Sequence, residues 1–153
     1  MKKWIGVVLL AGAAFFGYRW FAGWQAYKAY EGFAEAWVRG DESEAGRYGD
    51  SETVRHALRE RSIRGTRGGA TMEALRGDRY SIESKTRTPE GEIALVVKQT
   101  VHFDPPGATT GIGGAMYAHF RHTASVRKTP DGWRVVAFEP VFLDMGELRH
   151  GGP

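Results

Sequence analysis

The feature that most constrains this chain is its N-terminal apolar run. Residues 4–18, WIGVVLLAGAAFFGY, carry no charge, and residues 20–24, WFAGW, continue the run after a single interruption at Arg19. A helix from Trp4 to Trp24 rises about 31 Å, close to the roughly 30 Å hydrocarbon core of a bilayer. So long an apolar helix does not belong to a water-soluble core of this size, and the expectation is an N-terminal membrane anchor over residues 1–24. Arg19 then falls near the far interface, where a guanidinium stem can snorkel to the headgroups. Trp20 and Trp24 suit the aromatic belt at that level, as Trp4 suits the near one. The first expected partner is therefore the lipid bilayer.

A cleaved signal peptide is the rival reading, because Lys2 and Lys3 form a charged start and Ala11-Gly12-Ala13 resembles a small-residue cleavage site. Cutting there leaves an apolar region of only residues 4–10 and a new terminus beginning Ala14, Phe15, Phe16. Both consequences favour an uncleaved signal-anchor. The chain has no cysteine, which excludes a lipid-modified cysteine, a disulfide framework, a thiolate zinc site and a cysteine nucleophile. Lys2 and Lys3 hold the short N-terminal end in the cytoplasm by the positive-inside rule. The expected location is thus the bacterial inner membrane, crossed once, with the C-terminal domain in the periplasm.

The 21 basic and 18 acidic side chains are interspersed, so the net charge of +3 forms no stripe. Nucleic-acid binding needs clustered charge, and no nucleic-acid partner is expected. The densest basic stretch, with Arg55, Arg59, Arg61, Arg64 and Arg67, also contains Glu60 and reads as a solvated helix face.

After the anchor, Tyr27, Tyr30, Phe33, Ala34, Trp37 and Val38 recur at three and four, the stripe of an amphipathic helix able to run straight on from the anchor. Gly40-Asp41 stops it, and Asp41 can cap a short helix through Tyr48. Asp50 or Ser51 can cap a third helix over 52–61, with Val54, Leu58 and Ile63 inward. Residues 65–69 read as a loop and 72–75 as a short element. Beyond Asp78 the period changes to two, and four strands follow. Tyr80, Ile82, Ser84 and Thr86 share one face of the first, which ends at Thr88-Pro89-Glu90-Gly91. Ile93, Leu95, Val97, Gln99, Val101 and Phe103 share a face of the second. The third carries Ala118, Phe120, His122, Ala124 and Val126 on one side, and Tyr117, His119, Arg121, Thr123 and Ser125 on the other. Thr129-Pro130-Asp131-Gly132 turns into a fourth strand over 133–143. Helices followed by hairpin-linked strands predict an α+β domain over 25–146, helices packed on a curved antiparallel sheet of four or more strands, with a disordered tail at 147–153.

Phe33-Ala34-Glu35-Ala36-Trp37, then Gly40-Asp41, Tyr48 and Asp50, resemble the opening of the nuclear transport factor 2-like superfamily. There an aromatic-rich helix ends at Gly-Asp and a second helix carries a Tyr before an acidic turn. The likeness extends over about residues 25–143, including Asp131-Gly132-Trp133-Arg134-Val135 in the closing hairpin. It implies a helix layer in the concavity of a curved sheet and a pocket at the open end, in a superfamily that also houses ketosteroid isomerases and polyketide cyclases. One helix followed by this kind of fold is also the plan of the assembly factor of type IV secretion systems.

Isomerase-type chemistry requires a carboxylate base opposite a proton donor in an apolar pocket. Glu139 and Asp104 are the plausible carboxylates. Glu139 shares the phase of Trp133, Val135, Ala137 and Val141, so it is inward if that face is inner, unless Pro140 marks a bulge that turns it to solvent. Tyr30, Trp37 and Tyr48 are candidates to line the pocket, although aromatics at helical spacing usually form core. His119 and His122, three apart, fall on opposite strand faces and cannot share a ligand sphere, and with His102 they read as satisfied or surface histidines. Gly111-Ile112-Gly113-Gly114 lacks the lysine and following helix of a P-loop. No catalytic set, metal site or cofactor is expected. The reading is a membrane-tethered, non-enzymatic interaction module engaging an envelope or membrane protein, with self-association open. The alternatives are a pocket enzyme or small-ligand binder, and an accessory subunit whose anchor packs through Gly6, Gly12 and Gly17.

Overall fold

The computed structural model describes residues 2–65, 75–103 and 116–147, with side chains at 21–60, 79–102 and 117–146. Three helices precede four strands: α1 (Lys2–Arg39), α2 (Glu42–Tyr48), α3 (Ser51–Gly65), β1 (Leu75–Arg87), β2 (Ile93–Phe103), β3 (Met116–Thr129) and β4 (Gly132–Glu147). The strands form one open antiparallel sheet in the order β1-β2-β3-β4, with the helices packed on it. The α+β layout and the four strands are as expected. The loop at 66–69, the short element at 72–74, Asp104, the glycine stretch 107–114 and the tail 148–153 lie outside the described residues, as does the Ile63 side chain.

α1 is a single helix, unbroken between the apolar run and the amphipathic stripe. Tyr30, Phe33, Ala34, Trp37 and Val38 are buried and Tyr27 packs against them. Ala26, Ala29 and Ala36 are buried too, and their small side chains let α1 lie close to its neighbours. The helix ends on Gly40, at a φ of 70°. There Asp41 N–H donates to the Ala36 carbonyl (2.9 Å) and Gly40 N–H to that of Trp37 (3.1 Å), a Schellman closure that glycine adopts without Cβ strain. The Asp41 side chain then accepts from Glu44 N–H (2.9 Å), and Asp50 from Thr53 N–H (2.7 Å), capping α2 and α3 in turn.

α1 and α2 approach so closely that a Cβ at Gly32 would lie 2.6 Å from the Tyr48 ring, and one at Gly49 would collide with the Phe33 ring. Phe33 is buried and has nowhere to go. Gly49→Ala is therefore expected to destabilise the domain by about 1–3 kcal/mol through overpacking, read as a lower denaturation midpoint with an unchanged m-value.

Leu95, Val97, Gln99 and Val101 of β2 and Ala118, Phe120, His122, Ala124 and Val126 of β3 face the helices as alternation predicts. The two edge strands depart from it. β1 starts at Leu75, and its pairing with β2 slips between Ile82 and Ser84, which brings Lys85 opposite Leu95; Ile82, opposite Val97 on this edge strand, is exposed. β4 has one residue too many between its pairings Val135↔Val126 and Ala137↔Ser125. That bulge at Val136 reverses the phase, so Val135 and Phe138 point inward while Ala137 and Glu139 face solvent. Glu139 thus faces solvent, as the reading with a bulge at Pro140 held, but the bulge that turns it lies at Val136, four residues ahead of the proline. A further slip, between the pairs His119↔Asp144 and Phe120↔Phe142, skips Leu143.

Candidate functional site

Two strand positions in the apolar phase carry polar side chains, Gln99 on β2 and His122 on β3, and both are fully buried. Val97 pairs with His122 and Gln99 with Phe120, which makes Gln99 and His122 diagonal neighbours on the inner face. α1 supplies the group that meets the histidine: the Tyr30 hydroxyl lies 2.7 Å from His122 Nδ1. Gln99 Nε2 donates to the Tyr80 hydroxyl at 3.2 Å, and the Tyr80 ring stands edge-on to Tyr30, centroids 6.1 Å apart. Four polar side chains from α1, β1, β2 and β3 therefore meet inside the domain.

Around them the wall is aromatic. Trp37 stands edge-on to His122 (5.4 Å between centroids) and to Phe120 (5.6 Å), and Phe138 lies 4.8 Å from the imidazole. Trp37 Nε1 donates to the Ala57 carbonyl of α3 at 2.9 Å. Burial pushes the His122 pKa down from 6.5 to about 3, because the imidazolium would lose its hydration and, among the described residues, no carboxylate faces the ring to replace it. The ring is neutral at physiological pH. Its Nε2 and the Gln99 Oε1 are both buried without a hydrogen-bond partner.

Of the expected pocket residues, Tyr30 and Trp37 belong to this interior. Tyr48 is partly buried against Gly32, and Glu139 lies on the opposite side of the sheet, across from Thr123. The arrangement can hold a neutral hydrogen-bonding group, but among the described residues it brings no acid to the histidine. His119 faces outward, as expected from its spacing to His122, with Nδ1 2.7 Å from Asp144 Oδ1. Among the described residues no group of three or more His, Asp and Glu is placed to hold a metal ion. Trp24 is exposed, whereas the side chains of Trp4, Arg19 and Trp20 lie outside the described residues. Among those described, no helix is long and apolar enough to cross a membrane. Sequence reasoning passed over Gln99 and Tyr80 as members of the cluster, although the signal was present: Gln99, like His122, interrupts an otherwise apolar strand face.

Compared with known protein families, with curated proteins and with solved structures, the chain finds no match.

Proposed function

We propose that the chain is a membrane-tethered, non-enzymatic interaction module of the bacterial envelope, with its domain on the periplasmic side and the far end of β4 as its partner surface. The observation that carries this reading is a run of large apolar side chains on an edge strand. Val141, Phe142, Leu143 and Met145 are each 38–49% exposed, on a strand that is an edge of the sheet among the described residues and is bridged on its outer side at Val135, by Gly49, well before this run. Contiguous exposed apolar side chains of this kind mark interaction sites. Edge strands also offer free backbone groups to an incoming chain, here interrupted by Pro140 and by the bulges.

The interior supports the non-enzymatic half of the proposal. Tyr30 and Trp37 are packed core, and Glu139, the carboxylate an isomerase would need inside, faces out. Residues 4–24 and the paired lysines before them support the tether. Helices on an antiparallel sheet, and the aromatic helix closing at Gly40-Asp41, support a curved nuclear transport factor 2-like domain, which by itself assigns no activity. Tethering raises the effective concentration of a weak partner at the membrane. A second reading, a small-ligand binder, is favoured by the unpartnered Gln99 Oε1 and His122 Nε2.

A photo-crosslinking residue at position 141 in living cells tests the partner surface, with position 81 on β1 as the comparison. The expected result is an adduct from 141 alone, lost when Phe142→Asp and Leu143→Asp are combined. Adducts of equal yield at both positions, or none at 141, would contradict the proposal.

A further inference from the structure

The helix that carries the apolar N-terminal run is also the central helix of the core, and no linker separates the two. Burial by the domain already begins at Ala22 and Gly23. What covers that level is β1: the Lys85 side chain lies across Gly23, where a Cβ would meet its Nζ and Cε. Two turns along the helix, Tyr30 meets Tyr80. Strand positions 85 to 80 thus follow helix positions 23 to 30, so β1 runs antiparallel to α1. Its C-terminal end, with the Thr88–Gly91 turn, points toward the apolar part of the helix.

The residues at this end suit a lipid interface. Lys85 and Arg87 are exposed there beside Glu90, while Glu92 is engaged by Arg127. On the helix, Phe21 and Trp24 are 51% and 48% exposed and stack on each other with centroids 6.1 Å apart. Two large aromatic rings turned to solvent at the end of an apolar run, with basic side chains at the same level, match the composition of a headgroup layer.

We infer that the β1–β2 end of the domain is a lipid-contacting base, in which Lys85 and Arg87 bind the phosphates of anionic lipids and Phe21 and Trp24 sit in the interface beside them. The inference rests on the tethered reading above. A bilayer is the occupant because the surface is continuous with the apolar helix and a protein partner would have to share that space with lipid. The stretch left for hydrocarbon is then residues 4–21, a rise of about 26 Å, and the shortfall is met by local thinning of the bilayer. The domain is held in one orientation. β4, alternating with β1 through the sheet, runs the other way, and its apolar run at 141–145 points away from the bilayer.

The test uses the full chain in nanodiscs of phosphatidylcholine, with and without phosphatidylglycerol, that contain a headgroup-linked quencher. Because the chain has no cysteine, Ser84→Cys and Val141→Cys each give a single labelling site for a fluorophore. The expected result is strong quenching at 84 and little at 141, greater with phosphatidylglycerol. Combining Lys85→Glu with Arg87→Glu should reduce the docked population roughly tenfold in the anionic discs while the chain stays in them. Equal, weak quenching at both sites in a chain the discs retain would overturn the inference alone. Quenching at 84 indifferent to anionic lipid and to charge reversal would overturn the phosphate contacts. A chain that the discs do not retain would overturn the tethered reading, and the inference with it.

Discussion

Trp37→Ala is expected to lower the unfolding free energy of the domain by about 3–5 kcal/mol, the cost of emptying a large aromatic site in a packed core. Trp37 is 2% exposed and joins every layer of the fold. Its ring meets Phe120 and His122 of β3 and Phe138 of β4, and its indole N–H holds the Ala57 carbonyl of α3. Truncation leaves a void between helix and sheet and removes the indole donor from the Ala57 carbonyl. Small domains have only about 5–15 kcal/mol to lose, so much of the population unfolds in mild denaturant. Urea titration followed by far-ultraviolet circular dichroism measures it. A loss below about 1 kcal/mol would mean that the ring is not packed as described.

The second large effect is loss of stability in acid. His122 titrates near 6.5 when the chain is unfolded and is held down to about 3 in the fold by burial. Above the unfolded value both states are neutral and the residue contributes no pH dependence. As pH falls below 6.5 the unfolded chain takes up a proton that the folded one refuses, so stability declines until about pH 3, where the folded ring protonates as well. At 1.36 kcal/mol per unit the full shift amounts to roughly 4–5 kcal/mol. Among the described residues no compensating acid faces the ring: it meets Tyr30 and Trp37 from α1, Phe120 on its own strand and Phe138 from β4. His122→Gln keeps a neutral polar side chain without the titration. Urea midpoints between pH 6.5 and 5, where few carboxylates titrate, should fall for the native chain and stay nearly level for His122→Gln. Parallel slopes would show that His122 is accessible to protons in the folded state.

Much of this fold was legible in the sequence because local chemistry and tertiary packing agree there. The stripe from Tyr27 to Val38 and the Gly40-Asp41 stop are local signals that form as read, and of the two cap candidates before α3 it is Asp50 that caps. β2 and β3 are central strands covered by helices, so burial enforces their alternation. The edges were harder to read. A bulge at Val136 inserts one residue without any glycine or proline at that position, and the side chains from Ala137 to Phe142 change face, Glu139 included. On β1 the slip after Ile82 does the same. The interior cluster was half visible. Spacing puts His122 in phase with Phe120 and Ala124 and opposite to His119, but its meeting with Tyr30, 92 residues earlier, depends on how α1 docks on the sheet. Cross-element pairings of that kind leave no mark in the period of either element.

The central claim, a domain held outside the cytoplasm by an uncleaved N-terminal helix, is tested most directly by thiol accessibility. With no native cysteine, Thr123→Cys on the solvent face of β3 provides one reporter. Spheroplasts are treated with a membrane-impermeant maleimide before or after lysis, and the membranes are then washed with alkaline carbonate. The expected result is labelling before lysis, on a full-length chain that the carbonate leaves in the membrane. Labelling only after lysis, or a shortened chain released into the wash, would contradict it.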